Sequence, residues 1–236
     1  LSELPERMES NIGPLVFASL RSARRMADTV VEDYNRFSKE AGGFSDPLYL
    51  RDIDSQFSDG ETLVRLSHHV GGADVFLFQS LANPEEGMRI NENYLSFLMA
   101  VRTFREHGAN RITAVLPYLS YARQDKPTTF AREPTTAKLM ADLSLTSGID
   151  RLIAWDPHAS YIRGFYGQTP VNMLDPLSFF VKEFEQFKGD DDLIAVAPDA
   201  GATKLIMRFG KAMAIQSAVA VKYRPTQEES VINDII

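Results

Sequence analysis

Short apolar runs recur along this chain, and stretches with helical spacing lie between them. Residues 14–19 (PLVFAS), 74–79 (DVFLFQ), 111–116 (RITAVL), 151–155 (RLIAW), 193–197 (LIAVA) and 216–221 (QSAVAV) read as strands, with a shorter one at 63–66. Residues 22–37 carry Met26, Val30 and Tyr34 at helical spacing. Asn91 is placed to cap a helix that buries Leu95, Leu98 and Met99, and Pro134 opens another with Leu139, Met140 and Leu143. Asp175 and Pro176 start a helix whose core face is Phe179, Phe180, Phe184 and Phe187, and residues 203–213 form one more. Strand alternating with helix predicts an α/β domain built on a parallel sheet. Ligands of such sheets bind beyond the carboxyl ends of the strands. Arg123, Gln124, His158, Asp199 and Lys222 each follow the end of one of these strands, so a single parallel sheet would set them on one rim.

The connection over residues 116–139 (LPYLSYARQDKPTTFAREPTTAKL) holds the densest chemistry, with Tyr118, Tyr121, Arg123, Gln124, Asp125, Lys126, Arg132 and Lys138. Between 123 and 138 four basic residues stand against Asp125 and Glu133, in a chain of formal net charge -7. A solvated surface is the common fate of such a cluster. At a strand end it points instead to a small polyanion, because guanidinium forks match phosphate oxygens and a Tyr face stacks on a base. A lone histidine is as a rule a hydrogen-bonded structural residue, and Asp199 in PDAG is equally a helix N-cap. Together, at neighbouring strand ends, His158 and Asp199 could hold a cation. Lys222 and Arg224 leave their strand on alternate positions and would point one way, which without further context reads as two solvated charges at a loop mouth. The GATK segment at 201–204 lacks the leading glycine spacing of a phosphate-binding P-loop, and His68 and His69 have no metal-ligand spacing to a partner.

Composition narrows the partners. The 236 residues are 44% hydrophobic, enough for one large or two small cores. One basic loop in an acidic chain is not the broad positive field that nucleic acid or an anionic membrane requires. Apolar stretches such as 97–101 fall well short of the roughly 20 residues of a membrane span. With no cysteine there is no disulfide framework or thiolate chemistry, which fits a cytoplasmic protein. The first residue is Leu rather than Met, so translation is expected to begin further upstream.

The segments FSDGE, PYLSYARQDK, REPTTAKLMADL, DPHASYIRGFY, APDAGATK and VKYRP, in this order, resemble the ribose-phosphate diphosphokinase family, the synthetases of phosphoribosyl pyrophosphate. The resemblance runs from about residue 57 to residue 224. It implies the type I phosphoribosyltransferase fold in two similar domains, here 1–170 and the first part of a second over 171–236, assembled into homo-oligomeric hexamers. The implied reaction is Mg2+-dependent transfer of the diphosphoryl group of ATP to ribose 5-phosphate, giving phosphoribosyl pyrophosphate and AMP. By the same resemblance Phe57, Asp59, Gly60 and Glu61 embrace adenine from a neighbouring subunit, and Arg123 and Gln124 bind ATP. His158 and Asp199 are the metal-associated residues. Lys222 and Arg224 are the catalytic flexible-loop pair, Arg224 also serving the ribose phosphate.

The sequence departs from that family at Pro157, where Leu is usual, at Gly167 and Asn172, where acidic residues are frequent, and at Ala202, where a second Gly is common. The family's ribose-phosphate loop would follow residue 236, so the second domain is expected to be incomplete here and the chain inactive without it. A non-catalytic, nucleotide-binding regulatory relative is the alternative. The joint presence of Lys222, Arg224, His158 and Asp199 favours the enzyme. A phosphoribosyltransferase is a third reading, against which FSDGE and ARQD stand.

Overall fold

Six parallel strands form the first layer, and alternation along them sorts the core to two faces. The computed structural model describes residues 13–42, 47–83, 89–223 and 231–235, with side chains up to residue 220. Strands β1 (Leu15–Ser19), β2 (Leu48–Leu50), β5 (Asp74–Phe78), β6 (Arg111–Leu116), β7 (Arg151–Trp155) and β8 (Val171–Leu174) lie in the order β2-β1-β5-β6-β7-β8. Every neighbouring pair is parallel. Val16, Ala18, Val75, Leu77, Ile112, Ala114, Leu152 and Ala154 share one core with residues of helices α2 (Ile90–Glu106) and α3 (Thr136–Ser147), whereas Phe17 and Phe78 meet Ala27 and Val31 of helix α1 (Arg24–Glu40). That period of two is what a strand covered on both faces requires. Strands β3 (Asp54–Gln56) and β4 (Thr62–Val64) form a separate antiparallel hairpin.

Helix faces differ from expectation in register. On α2 the buried residues are Asn93, Tyr94, Ser96, Phe97, Ala100, Val101 and Phe104, while Leu95 is 51% exposed and Met99 is also outside. The stripe settles on the two Phe rings because they remove the most apolar area. Arg89, not Asn91, is the N-cap, since Glu92 lies three residues beyond it and its carboxylate accepts from the Arg89 amide at 3.1 Å. Helix α3 turns its small residues Ala137, Ala141 and Ser144 inward and leaves Leu139 and Leu143 exposed. Ser144 sits 2.8 Å from the Tyr94 hydroxyl, tying the two helices.

Residues 175–236 form a second unit, separate from residues 1–174. Strands β9 (Ile194–Ala197) and β10 (Gln216–Tyr223) are parallel, β11 (Val231–Ile235) pairs antiparallel with β10, and the order is β11-β10-β9. Helix α5 (Thr203–Met213) packs so closely on β10 that a Cβ at Gly210 would stand 2.0 Å from the Ser217 hydroxyl. Helix α4 (Leu177–Glu183) is short and followed by a 3-10 turn. Asp175 accepts from the Leu177 amide and pairs with Arg208 of α5, and that guanidinium holds its carboxyl below the usual range. Phe179, Phe180, Phe184 and Phe187 are not a core face: all four are exposed, and the last three with Phe180 among them line an apolar cavity of about 510 Å³ with Phe209 and Met213. A three-stranded sheet with two helices offers too little surface to enclose them.

Candidate functional site

Two loops leave adjacent strands side by side. Strands β6 and β7 stay paired to Leu116 and Ala154, and the Trp155 amide then donates to the Pro117 carbonyl at 3.0 Å. Beyond that rung the β6 loop turns through Tyr121, whose φ of +62° is left-handed and costly for a residue with a Cβ. Three bonds hold it there. The Gln124 amide donates to the Tyr121 carbonyl at 2.9 Å, the Gln124 carbonyl accepts from the Ala137 amide at the head of α3 at 3.1 Å, and the Tyr121 hydroxyl donates to Asn91 on α2. The turn buries Leu119, Ala122 and Asp125 and leaves Arg123 and Gln124 outward.

The β7 loop starts at Asp156, also left-handed at φ +36°, its amide donating to the Leu174 carbonyl at 3.1 Å. His158 follows, exposed, and residues Ser160–Tyr166 form a 3-10 turn. Between the loops lies a depression of about 420 Å³, lined on one side by Tyr118, Leu119, Ala122 and Arg123 and on the other by Trp155, Asp156, Pro157 and His158. Arg123, Tyr118 and Gln124 border a second hollow of about 200 Å³ with Ile90, Asn91 and Tyr121. Arg123 therefore stands on the ridge between the two, and among the described residues it has no ion pair. Lys138, by contrast, is taken up by Asp142 one turn along α3. Glu133 accepts from the Thr128 amide at 2.9 Å, which lowers its pKa.

An exposed guanidinium, the Tyr118 ring, an indole and an imidazole around the larger hollow suit a flat aromatic base carrying a string of phosphates. For a divalent cation the same walls supply one imidazole and the Asp156 carboxylate, and among the described residues no group of three or more His, Asp and Glu comes together. Such a donor set fits magnesium that keeps several waters and takes its remaining oxygens from a polyphosphate, not a cage made by protein alone.

The other expected residues belong to other elements. Phe57, Asp59, Gly60 and Glu61 form the tip of the β3–β4 hairpin, closed by bonds from the Phe57 amide to the Glu61 carbonyl at 2.8 Å and from the Gly60 amide to the Phe57 carbonyl at 3.0 Å. Gly60 has φ +97°, and the Phe57 ring is 53% exposed. Asp199, beyond β9, caps the 3-10 turn Ala200–Ala202, its Oδ1 accepting from the Gly201 and Ala202 amides at 3.0 and 3.3 Å. Lys222 is in the backbone of β10, its side chain outside the described residues, and Arg224 lies wholly outside them. The strands expected to carry these residues in a single sheet thus belong to two sheets. Arg123, Gln124 and His158 leave the six-stranded sheet, while Asp199 and Lys222 belong to the three-stranded one. Sequence reading passed over Trp155 and Pro157 as walls and Tyr161 as a partner of Asp125. A carboxylate embedded in a basic loop was the available signal for the last of these.

Residues 16–148 match the family described as the N-terminal domain of ribose phosphate pyrophosphokinase. A ribose-phosphate pyrophosphokinase of Clostridium acetobutylicum is 40% identical over 182 residues, 77% of this chain and 55% of that protein. One from Vibrio parahaemolyticus is 36% identical over 196 residues, 81% and 60% of the respective chains. The crystal structure of phosphoribosylpyrophosphate synthetase from Mycobacterium smegmatis superposes with a TM-score of 0.74 at 27% identity, covering 95% of this chain and 67% of that one. The chain thus spans little more than half the length of the curated relatives it matches.

Proposed function

Since this chain belongs to the ribose-phosphate pyrophosphokinase family and has its type I phosphoribosyltransferase fold, we propose that it carries the ATP-binding part of a ribose-phosphate diphosphokinase. The reaction moves the β,γ-diphosphoryl group of ATP to the anomeric hydroxyl of ribose 5-phosphate. The anomeric oxygen bonds to the β-phosphorus and gives up its proton to solvent as the bond from that phosphorus to the α,β-bridging oxygen breaks, and AMP departs with the bridging oxygen. No covalent nucleophile is needed, so the protein's share is positioning and charge.

The observation that carries this reading is Arg123, exposed and without an ion pair among the described residues, on the wall facing His158. Its guanidinium would grip phosphate oxygens in a bidentate fork, Gln124 would supply amide bonds beside it, and Tyr118 and Tyr121 would offer faces to the base. Magnesium, when bound, would spread the polyphosphate's negative charge. His158 would contact it directly or through water, with Asp199 as a second metal-associated group. Lys222 and Arg224, on the strength of the VKYRP segment, are assigned to the transferring group, and Arg224 also to the ribose phosphate. Phe57, Asp59, Gly60 and Glu61 are assigned to the adenine of a neighbouring copy, in a homo-oligomer of hexameric form and in the cytoplasm; an exposed aromatic ring on a hairpin tip supports that role.

The test is AMP release from ATP, magnesium and ribose 5-phosphate by the full-length protein. AMP and phosphoribosyl pyrophosphate should appear in equal amounts. Nucleotide binding with no AMP above background would instead identify a regulatory relative.

A further inference from the structure

The two loops that wall the larger hollow separate once β6 and β7 end, and a side-chain bond rejoins them on the far side. Asp125, only 7% exposed, accepts a hydrogen bond from the hydroxyl of Tyr161, which belongs to the 3-10 turn three residues after His158. Asp125 follows Gln124 directly, and its carboxylate is the acceptor that holds the Tyr161 hydroxyl protonated, raising its pKa. The Tyr161 ring meets Phe165 edge-on at 6.5 Å, and the Ile162 amide donates to the Ala159 carbonyl, so the turn itself is ordered. Between the rung at Trp155 and Pro117 and the bond at Tyr161 and Asp125, the loops form a closed ring, with Arg123 and His158 on opposite arcs.

We propose that Asp125 and Tyr161 are positioning residues, a clasp that fixes the span between Arg123 and His158 so that both reach one bound polyphosphate. The inference rests on the ATP reading of that hollow. An acceptor buried beside a basic loop gains little by leaving water unless it makes such a bond, since a buried carboxylate without a partner is costly. Without the clasp the β6 loop would keep its bonds to α2 and α3 and the β7 loop its bond to Leu174, and those ties do not set the span from one loop to the other. Groups that must be held within a fraction of an ångström then lose alignment.

Tyr161→Phe removes the hydroxyl and keeps the ring against Phe165, so the fold should survive. Two measurements on the full-length protein separate the possibilities. In ligand-free protein, hydrogen exchange over residues 118–126 and 156–166 should speed up in Tyr161→Phe and in Asp125→Ala, while Asp125→Asn, which keeps an acceptor oxygen, should restore slow exchange. Unchanged exchange in Tyr161→Phe would overturn the clasp whatever the ligand does. The second reading uses Trp155, the chain's single tryptophan, which stands in the wall of the hollow and reports magnesium–ATP binding by its fluorescence. The midpoint of that titration should rise about three- to tenfold in Tyr161→Phe, the worth of one hydrogen bond, and return with Asp125→Asn. Faster exchange with an unaltered midpoint would remove the positioning role. A wild-type protein that binds no ATP would refute the nucleotide reading, and with it the polyphosphate this clasp is meant to serve, while the exchange result would still decide whether the bond holds the loops.

Discussion

Asp74 opens β5 at the end of the sheet away from the hollows, and its carboxyl is buried with Oδ1 lacking a hydrogen bond and Oδ2 3.8 Å from Arg111. Burial raises its pKa, and the nearby Arg111 and Arg151 offset only part of that. The folded protein therefore holds this proton more tightly than the unfolded chain does. Its contribution to stability is best at low pH and declines as pH climbs from the ordinary aspartate range through the raised folded value. Asp74→Asn should flatten that decline and leave the first unit no less stable at neutral pH. Urea midpoints measured at several pH values between 4 and 7 check this, and a steeper decline in the variant would contradict it. At the same scale, Asp199 shows how much one residue type conceals. Its N-cap bonds were readable from PDAG, whereas a metal contact depends on the oxygen those bonds leave over.

Helix faces were the part of the elements least legible in sequence. Strands β1, β5, β6, β7 and β9 fall where runs of apolar residues put them, because a strand covered on both sides needs nothing else. Short edge strands β2 and β8 escaped notice, since LYL and VNML carry too few residues to establish a period. On α2 and α3 every turn offers apolar residues on more than one side, so Leu95 and Leu139 were as plausible inside as Phe97 and Ala141. The two choices differ sharply in energy. Phe97→Ala should cost about 3–5 kcal/mol, the usual toll of emptying a buried aromatic site, whereas Leu95→Ala should cost well under 1 kcal/mol. Chemical denaturation of both variants measures the contrast. Equal losses would mean α2 is rotated about its axis relative to the register described. The loops were more legible than the helices, because ARQD and DPH combine residue types that solvated connections rarely need. What stayed hidden was how the loops are joined, a matter of one Tyr and one Asp far apart in sequence.

For the whole molecule, the hairpin bearing Phe57 and the groove bearing Arg123 make a test of sharing. If each nucleotide site takes Arg123 from one copy and Phe57 from a neighbour, Arg123→Ala and Phe57→Ala proteins, each inactive alone, should regain activity when dissociated and reassembled together. Random mixing leaves both residues intact in a quarter of sites, so recovery of about a quarter of wild-type AMP release is expected for a closed symmetric assembly. No recovery would place the whole site within one chain. The α/β class was evident from sequence, whereas the alternation of strand and helix runs on unbroken from the first unit into the second, so the alternation alone did not mark where one sheet ends and the next begins.

The strand order β2-β1-β5-β6-β7-β8 has a bearing on how the protein is made. After β5, which pairs back with β1, each strand of this sheet lies beside the one translated just before it, and it takes its place on an edge already present. The first layer can therefore zip outward while the ribosome is still adding residues, with long-range pairing limited to the return from β2 past β1. Once residue 174 has left the ribosome, both walls of the groove can form before the second unit is free to fold.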